Sequence, residues 1–305
     1  MPRSAHVTPF PKAQNIPSIL SISPSLSLPL RKPPNMLLLG LTGSIATGKS
    51  TVSSILSQPP YSLPIIDADL IARKVVEPGA PAYAKIVAHF SASTPDLLLE
   101  PSAGEDVTKG RWLNRPALGR RLFGDSEEVR KDRAVLNGII HPAVRWEMYK
   151  ELLVCYLKGY WAVVLDVPLL FEGGLDQICG TVMVVAVSDP EIQMQRLRAR
   201  DAHLTREDAE NRVKSQGDVR DKAKRCEARG TGAGVVVFND GGKEDLQKEL
   251  EKVMAQVTRA SPRWWAWLLL LCPPLAGMAG AWCYYRGQVI NRKWKEQELL
   301  AKAKL

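Results

Sequence analysis

Short apolar runs alternate with stretches of helical character from Met36 to about Val257. The runs lie at 36–41, 63–66, 161–167, 181–187 and 235–238. They are rich in Val, Ile and Leu and do not alternate strictly with polar residues, which is the pattern of strands buried on both faces of a parallel sheet. Helical segments between them predict an α/β domain, a doubly wound parallel sheet of about five strands. Residues 91–110 are rich in Ser, Pro and Gly and read as a surface loop. Residues 111–158 read as helices. Ser126 can cap one whose apolar positions Val129, Leu136 and Ile140 share a face, and Pro142 is expected to interrupt it.

Both ends depart from this pattern. Residues 1–35 contain no Asp or Glu and carry prolines at 9, 11, 17, 24, 29, 33 and 34, so they are expected to form a disordered extension. An organelle presequence is the alternative, because the stretch is acid-poor and Ser-rich. Residues 259–305 read as a membrane anchor. Within them, 264–285 carries no charge and is about as long as the ~20 residues that cross a bilayer. Trp264, Trp265 and Trp267 crowd one end, and Trp282, Tyr284 and Tyr285 the other, as at the two interfaces of a transmembrane helix. Pro273 and Pro274 would kink such a helix; a buried core helix is the competing reading. The short tail beyond is basic, with Arg292, Lys293 and Lys295. These features lead to an expectation of insertion after synthesis, with the rest of the chain in the cytosol. The mitochondrial outer membrane is favoured and the endoplasmic reticulum remains an alternative.

The net charge is +9, yet Lys and Arg are dispersed without a basic run or interleaved aromatics in the central region. Nucleic acid is therefore not the expected partner, and phosphorylated small molecules fit better. None of the five cysteines falls in a C-x-x-C pair, so neither a zinc site nor a disulfide framework is suggested.

The most specific chemistry follows the first strand. Gly43-Ser-Ile-Ala-Thr-Gly-Lys-Ser50 fits G-x-x-x-x-G-K-[ST], the phosphate-binding loop of P-loop NTPases. Gly43 and Gly48 allow backbone angles that turn successive amides toward phosphate oxygens. The loop residues Ser44, Ala46 and Thr47, with Thr51 opening the helix, complete the expected ATP contacts. Lys49 can reach the β- and γ-phosphates and Ser50 can ligate Mg²⁺, at a helix N-terminus that itself favours anions.

Two further strand ends deliver acids. The second strand ends in Asp67-Ala68-Asp69. Asp69 is the candidate general base toward a hydroxyl acceptor, and Asp67 a structural partner or one that acts through a neighbour; the plain alternative is that one of the two acids caps the next helix. The third gives Val163-Val164-Leu165-Asp166, whose acid can hold Mg²⁺ or its waters. Arg196 and Arg200 lie four residues apart on a predicted helix, and Thr205 with Asp208 can open the next one as a capping box. The segment from about 190 to 220 is basic and placed as a lid; its two arginines could stabilise a phosphoryl group in transit. A solvated, salt-bridged helix is the plain alternative.

With these pieces assembled, residues from about Met36 to Leu250 resemble the dephospho-CoA kinase family. The resemblance is carried by Gly40-Leu-Thr-Gly-Ser-Ile-Ala-Thr-Gly-Lys-Ser-Thr51 and Ile66-Asp-Ala-Asp-Leu-Ile-Ala-Arg73. Val75-Val-Glu-Pro-Gly79, Leu136-Asn-Gly-Ile-Ile-His-Pro142 and Asp166-Val-Pro-Leu-Leu-Phe-Glu172 add to it, as do Gln195-Arg-Leu-Arg-Ala-Arg-Asp201 and Asn239-Asp-Gly-Gly242. It implies a parallel-sheet core of 36–258 with a helical substrate domain and a lid, ATP and Mg²⁺ as cofactors, and phosphorylation of the ribose 3′-hydroxyl of dephospho-CoA. By that likeness Asp69 matches the catalytic aspartate, and Arg200 and Arg196 the lid arginines. His141, Pro168, Leu169, Leu170 and Glu172 match the substrate side, and Asn239 lies near the adenine. Arg73 and Arg115 match basic positions without an assigned role.

The chain departs from the family at Ser44 and at Ala46-Thr47, where Gly and Gly-Ser are usual, and in the longer Gly-rich stretch 225–234. A kinase for another small hydroxyl acceptor and a non-catalytic nucleotide-binding module stay open as alternatives. A GTPase is disfavoured because N-K-x-D and D-x-x-G motifs are lacking.

Overall fold

The computed structural model describes residues 36–101, 107–201, 205–215, 218–259 and 271–302. Strand β1 (Leu37–Gly43) is the centre of a five-stranded sheet. It lies between β3 (Ala162–Asp166) and β4 (Thr181–Ala186), with β2 (Ile65–Asp67) and β5 (Gly234–Phe238) at the edges. All four pairings are parallel. Every residue of β3 and β4 is buried, as apolar runs without alternation require. Chain order reverses at β1, whose neighbours β3 and β4 come later in the sequence on opposite sides. A ligand crevice is expected at such a switch point, beyond the carboxyl ends of the strands.

Each face of the sheet has its own apolar layer. One layer joins Val52 and Leu56 of α1 (Lys49–Ser57) to Leu246, Leu250, Val253 and Met254 of α9 (Lys243–Arg259). The other joins Ile71 of α2 (Ala68–Lys74), Met148 and Leu152 of α5 (Glu127–Leu157), and Ala223 and Cys226 of α8 (Val219–Glu227). A third cluster belongs to a helical layer. There Tyr83, Ile86 and Phe90 of α3 (Pro81–Phe90) meet Leu97, Leu113 and Leu118, the last on α4 (Arg115–Arg121). Helices α6 (Pro190–Arg200) and α7 (Arg206–Ser215) occupy the expected lid region.

Two expectations need correction. Pro142 does not end its helix: α5 runs for 31 residues with Pro142 inside it. The missing N–H removes one hydrogen bond, to the carbonyl of Gly138. Apolar contacts of Ile139, Ile140, Ala143 and Val144 with the two neighbouring clusters run through the same turns and outweigh that loss.

The second correction concerns the span at 264–285. Its first part, 264–270, lies outside the described residues, as do 1–35. Cys272 is not helical, and Pro273 opens a new helix, α10 (Pro273–Lys302), which continues past Arg286, Arg292, Lys293 and Lys295. Among the described residues no helix is long and apolar enough to cross a membrane. Proline is tolerated in a first helical turn, where its absent N–H would have no partner. Past Cys283 one face of the helix packs on the domain. A Cβ on Gly287 would come within 2.7 Å of the backbone of Gln177, in a 3-10 turn at Leu175–Gln177, and Asn291 is buried.

Candidate active site

The phosphate loop occupies the turn from β1 into α1. Its two glycines are needed for different reasons. Gly48 caps α1 with φ 93°, and a Cβ there would also collide with the amide of Asn239. Gly43 is required by space: a Cβ would sit 2.7 Å from the carbonyl oxygen of Val185 and 2.9 Å from the Thr47 hydroxyl. Ala46 has φ 60°, a left-handed conformation that L side chains adopt at a cost. The strain in this departure from the usual loop therefore lies at Ala46, while Ser44 is not among the residues of positive φ. Ala46→Gly is expected to stabilise the fold by about 0.5–1 kcal/mol, the left-handed penalty less the extra freedom glycine adds to the unfolded chain. Thermal unfolding should show a rise of about 2–3 °C.

The loop is braced from the β4–β5 side. Asn239 donates its amide to the carbonyl of Thr47 at 2.8 Å, and Gln193 donates to the carbonyl of Ile45 at 2.7 Å. Thr47 is fully buried, with its hydroxyl on the carbonyl of Ser44 at 2.9 Å. Arg196 donates to the carbonyls of Asn239 at 2.6 Å and Gly241 at 2.9 Å. These contacts correct the reading of Arg196 and define the partner of Asn239. Arg196 is a static tie between α6 and the strand β5 end rather than a free lid cation. Asn239 turns its side-chain amide to the loop backbone at Thr47. Sequence reasoning missed Gln193, because a lone glutamine on a helix carries no motif.

Lys49 donates to the Asp166 carboxylate, and Asp166 is buried at the carboxyl end of β3. Burial pushes this carboxyl up from its ordinary range. Hydrogen bonds from Lys49 and Ser53 pull it down, and the neighbouring Asp67 pushes it up again. Asp67 and Asp166 are partners in the β2–β3 register. Asp67 is the N-cap of α2, accepting from the amides of Asp69 at 2.8 Å and Leu70 at 3.1 Å, which is its expected structural role. Ser50 is exposed in the first turn of α1.

Asp69 is exposed and lines a cavity of about 350 Å³ with Arg73, Val76, Leu113, Arg115 and Ile140. Arg115 reaches across to the carbonyl of Arg73 at 3.3 Å. The cavity thus joins the acid at the start of α2 to two cations and to the helical layer. His141 is exposed one residue beyond Ile140 on α5. The segment 168–172 divides. Leu169 is half exposed, and Glu172 is paired with Lys222 at 3.0 Å. Leu170 is fully buried in the sheet core, so its expected role at the substrate is corrected to packing.

In the segment 190–220, Arg200 is paired with Asp201 at 3.0 Å, and Arg212 reaches the same carboxylate at 3.4 Å. Arg200 keeps a side-chain exposure of 57 %, while Arg196 is held by two backbone carbonyls. Thr205 caps α7 through the amide of Asp208 at 3.1 Å, as the capping box predicts.

A family model described as CoaE, dephospho-CoA kinase, matches residues 37–245. The chain is 45 % identical over 222 residues to dephospho-CoA kinase CAB5 of Saccharomyces cerevisiae, covering 73 % of this chain and 83 % of the relative. It is 42 % identical over 216 residues to the dephospho-CoA kinase of Bacillus cereus, covering 71 % of this chain and 94 % of that one. A solved dephospho-CoA kinase from Campylobacter jejuni superimposes with a TM-score of 0.51 at 26 % identity, covering 73 % of this chain and 98 % of that chain. A Thermus thermophilus structure does so with a TM-score of 0.55 at 29 % identity over the same shares. The phosphate loop at the switch point, the acid-bearing strand ends beside it and these matches together make the chain a member of the dephospho-CoA kinase family.

Proposed function

We propose that this protein transfers the γ-phosphoryl group of ATP to the ribose 3′-hydroxyl of dephospho-CoA, giving coenzyme A and ADP. The observation that carries the reading is the position of Asp69. It stands in the wall of an arginine-bearing cavity, two residues beyond the strand partner of the acid that holds Lys49. In this reading the loop amides and Lys49 hold the phosphates. Asp69 accepts the proton of the acceptor hydroxyl as its oxygen attacks phosphorus and the bond to the ADP oxygen breaks. Arg200 leaves Asp201 to meet the charge on the group in transit. Arg73 and Arg115 face the anionic diphosphate of the acceptor.

Ser50 and Asp166 would hold Mg²⁺. The fit rests on Asp166, a buried carboxylate whose partner is a cation. Among the described residues no three acids, histidines or cysteines cluster as a protein-only metal cage. Mg²⁺ at kinases commonly takes one or two protein ligands and completes its shell with water and phosphate oxygens. Bound there, it neutralises charge on the phosphates.

The test is ADP release by the full chain with a panel of acceptors. Dephospho-CoA is expected to give turnover well above that with adenosine, pantetheine or water. A faster reaction with another small alcohol would move the assignment to a different acceptor.

We also propose that the protein works at the cytosolic side of a membrane, the mitochondrial outer membrane or the endoplasmic reticulum. The support is the uncharged stretch 264–285 and the exposed Leu271, Met278, Trp282 and Tyr285. Co-sedimentation with vesicles should be lost when Trp282 and Tyr285 are both replaced by Ser; unchanged binding would contradict it.

A further inference from the structure

Helix α10 lies beyond residues 37–245, yet it touches the layer that supports the segment 168–172. Asn291 is 7 % exposed and accepts from Arg225 through its Oδ1 at 3.2 Å. The Arg225 guanidinium lies over the Phe171 ring, 4.6 Å from its centre. Arg225 is on α8. One turn earlier on the same helix, Lys222 donates to the carbonyl of Pro168 at 3.2 Å and pairs with Glu172 at 3.0 Å. Burial pushes up the carboxyl of Asp176, and Asn291 is also among the groups that pull it down. Asp176 is fully buried, paired with Arg229 at 2.8 Å, and its backbone amide donates to the carbonyl of Leu170 at 3.4 Å.

The side chain of Asn291 therefore ties α10 to Arg225 directly and acts on the charge of Asp176, and each of these groups is tied to the same segment. Arg225 needs an acceptor and the buried Asp176 Oδ1 a donor, and an amide offers both. The four-residue spacing of Cys283, Gly287 and Asn291 puts them on one helix face. Gly287 makes the close approach possible, because a Cβ would come within 2.7 Å of the Gln177 backbone.

We propose that Asn291 is a positioning residue for the acceptor: through Arg225 and Asp176, docked α10 holds the segment 168–172 in its binding conformation. The proposal rests on the reading above that this segment faces dephospho-CoA. The dependence has a direction. Release of α10 loosens Phe171 and Glu172, while the ATP loop, braced separately by Asn239, Gln193 and Arg196, is left as it is.

The test uses the full chain with Asn291→Asp, which keeps the shape but puts a carboxylate beside Asp176, and with Gly287→Leu, which overlaps Gln177. For each variant, KM for dephospho-CoA and for ATP are measured, with amide hydrogen exchange across 283–300. We expect faster exchange there, a KM for dephospho-CoA raised about tenfold, and a KM for ATP within about twofold of the unsubstituted chain. Asn291→Gln, which retains a donor and an acceptor, should recover part of the loss. Faster exchange with both KM values unchanged overturns the proposal, as does an equal rise in both. Unchanged exchange in Asn291→Asp overturns it too, since the amide then holds nothing. An unsubstituted chain that does not use dephospho-CoA contradicts the functional reading instead, so the two failures are distinct.

Discussion

Asp69→Asn is expected to lower turnover by about 10²-fold or more while leaving ATP affinity within about twofold, the scale of a lost general base. The asymmetry follows from where Asp69 stands. It lines the cavity with Arg73 and Arg115, whereas the phosphate loop is built by β1, α1 and the braces from Gln193, Arg196 and Asn239. Asparagine keeps the size of the side chain and is compatible with the first turn of α2, where the cap is supplied by Asp67. Stability should therefore stay close to that of the unsubstituted chain. Single-turnover kinetics with a fluorescent ATP analogue separate the two steps. Unchanged turnover would mean that another group takes the proton.

Lys49→Ala is expected to act on both rate and stability. The rate should fall by about 10²–10³-fold, because the charge nearest the transferring phosphate disappears. Stability should fall by about 1.5–3 kcal/mol near neutral pH, because the carboxylate of Asp166 is left buried without its cation. The pH dependence has a definite sign. Burial already raises the Asp166 carboxyl, and Lys49 is the first of the groups that lower it again. Without Lys49 the native state holds that proton more tightly, while the unfolded state is unchanged. The variant then lies closest to the unsubstituted chain at acidic pH, where Asp166 is protonated in both. It falls behind as pH rises through the folded value. Thermal unfolding of the two proteins across pH 4 to 8 reads this directly. A stability gap that narrows as pH rises would contradict the coupling.

The strands were legible because burial on both faces leaves an uninterrupted apolar run, as in Val163, Val164 and Leu165, and no other element of this size writes itself so plainly. The loop was legible because Gly48 is a backbone requirement, and such a requirement is visible one residue at a time. A structural role for Asp67 could be placed because it sits at an element end, whereas its pairing in register with Asp166 became visible only in the sheet. Arg196 was misread because its guanidinium reaches about five bonds from the chain, and its target depends on carbonyls at Asn239 and Gly241 that only tertiary structure brings near. Pro142 was given too much weight as a breaker, since one lost hydrogen bond competes with apolar contacts that local sequence does not reveal. The stretch at 264–285 shows the same limit from the other side. Hydropathy and aromatic clustering register the stretch as apolar, but the docking of Gly287 against Gln177 and of Asn291 on Arg225 depends on tertiary contacts that composition does not reveal.

The central claim concerns one oxygen atom, the 3′-hydroxyl of the acceptor ribose. Phosphorus NMR of the product formed by the full chain from ATP and dephospho-CoA tests it most directly. The account predicts a new phosphomonoester resonance coupled to the ribose H3′, formed in step with ADP and strongly reduced in Asp69→Asn. A protein that binds ATP and dephospho-CoA yet forms no 3′-phosphomonoester, or one that places the phosphate on another oxygen, would contradict it.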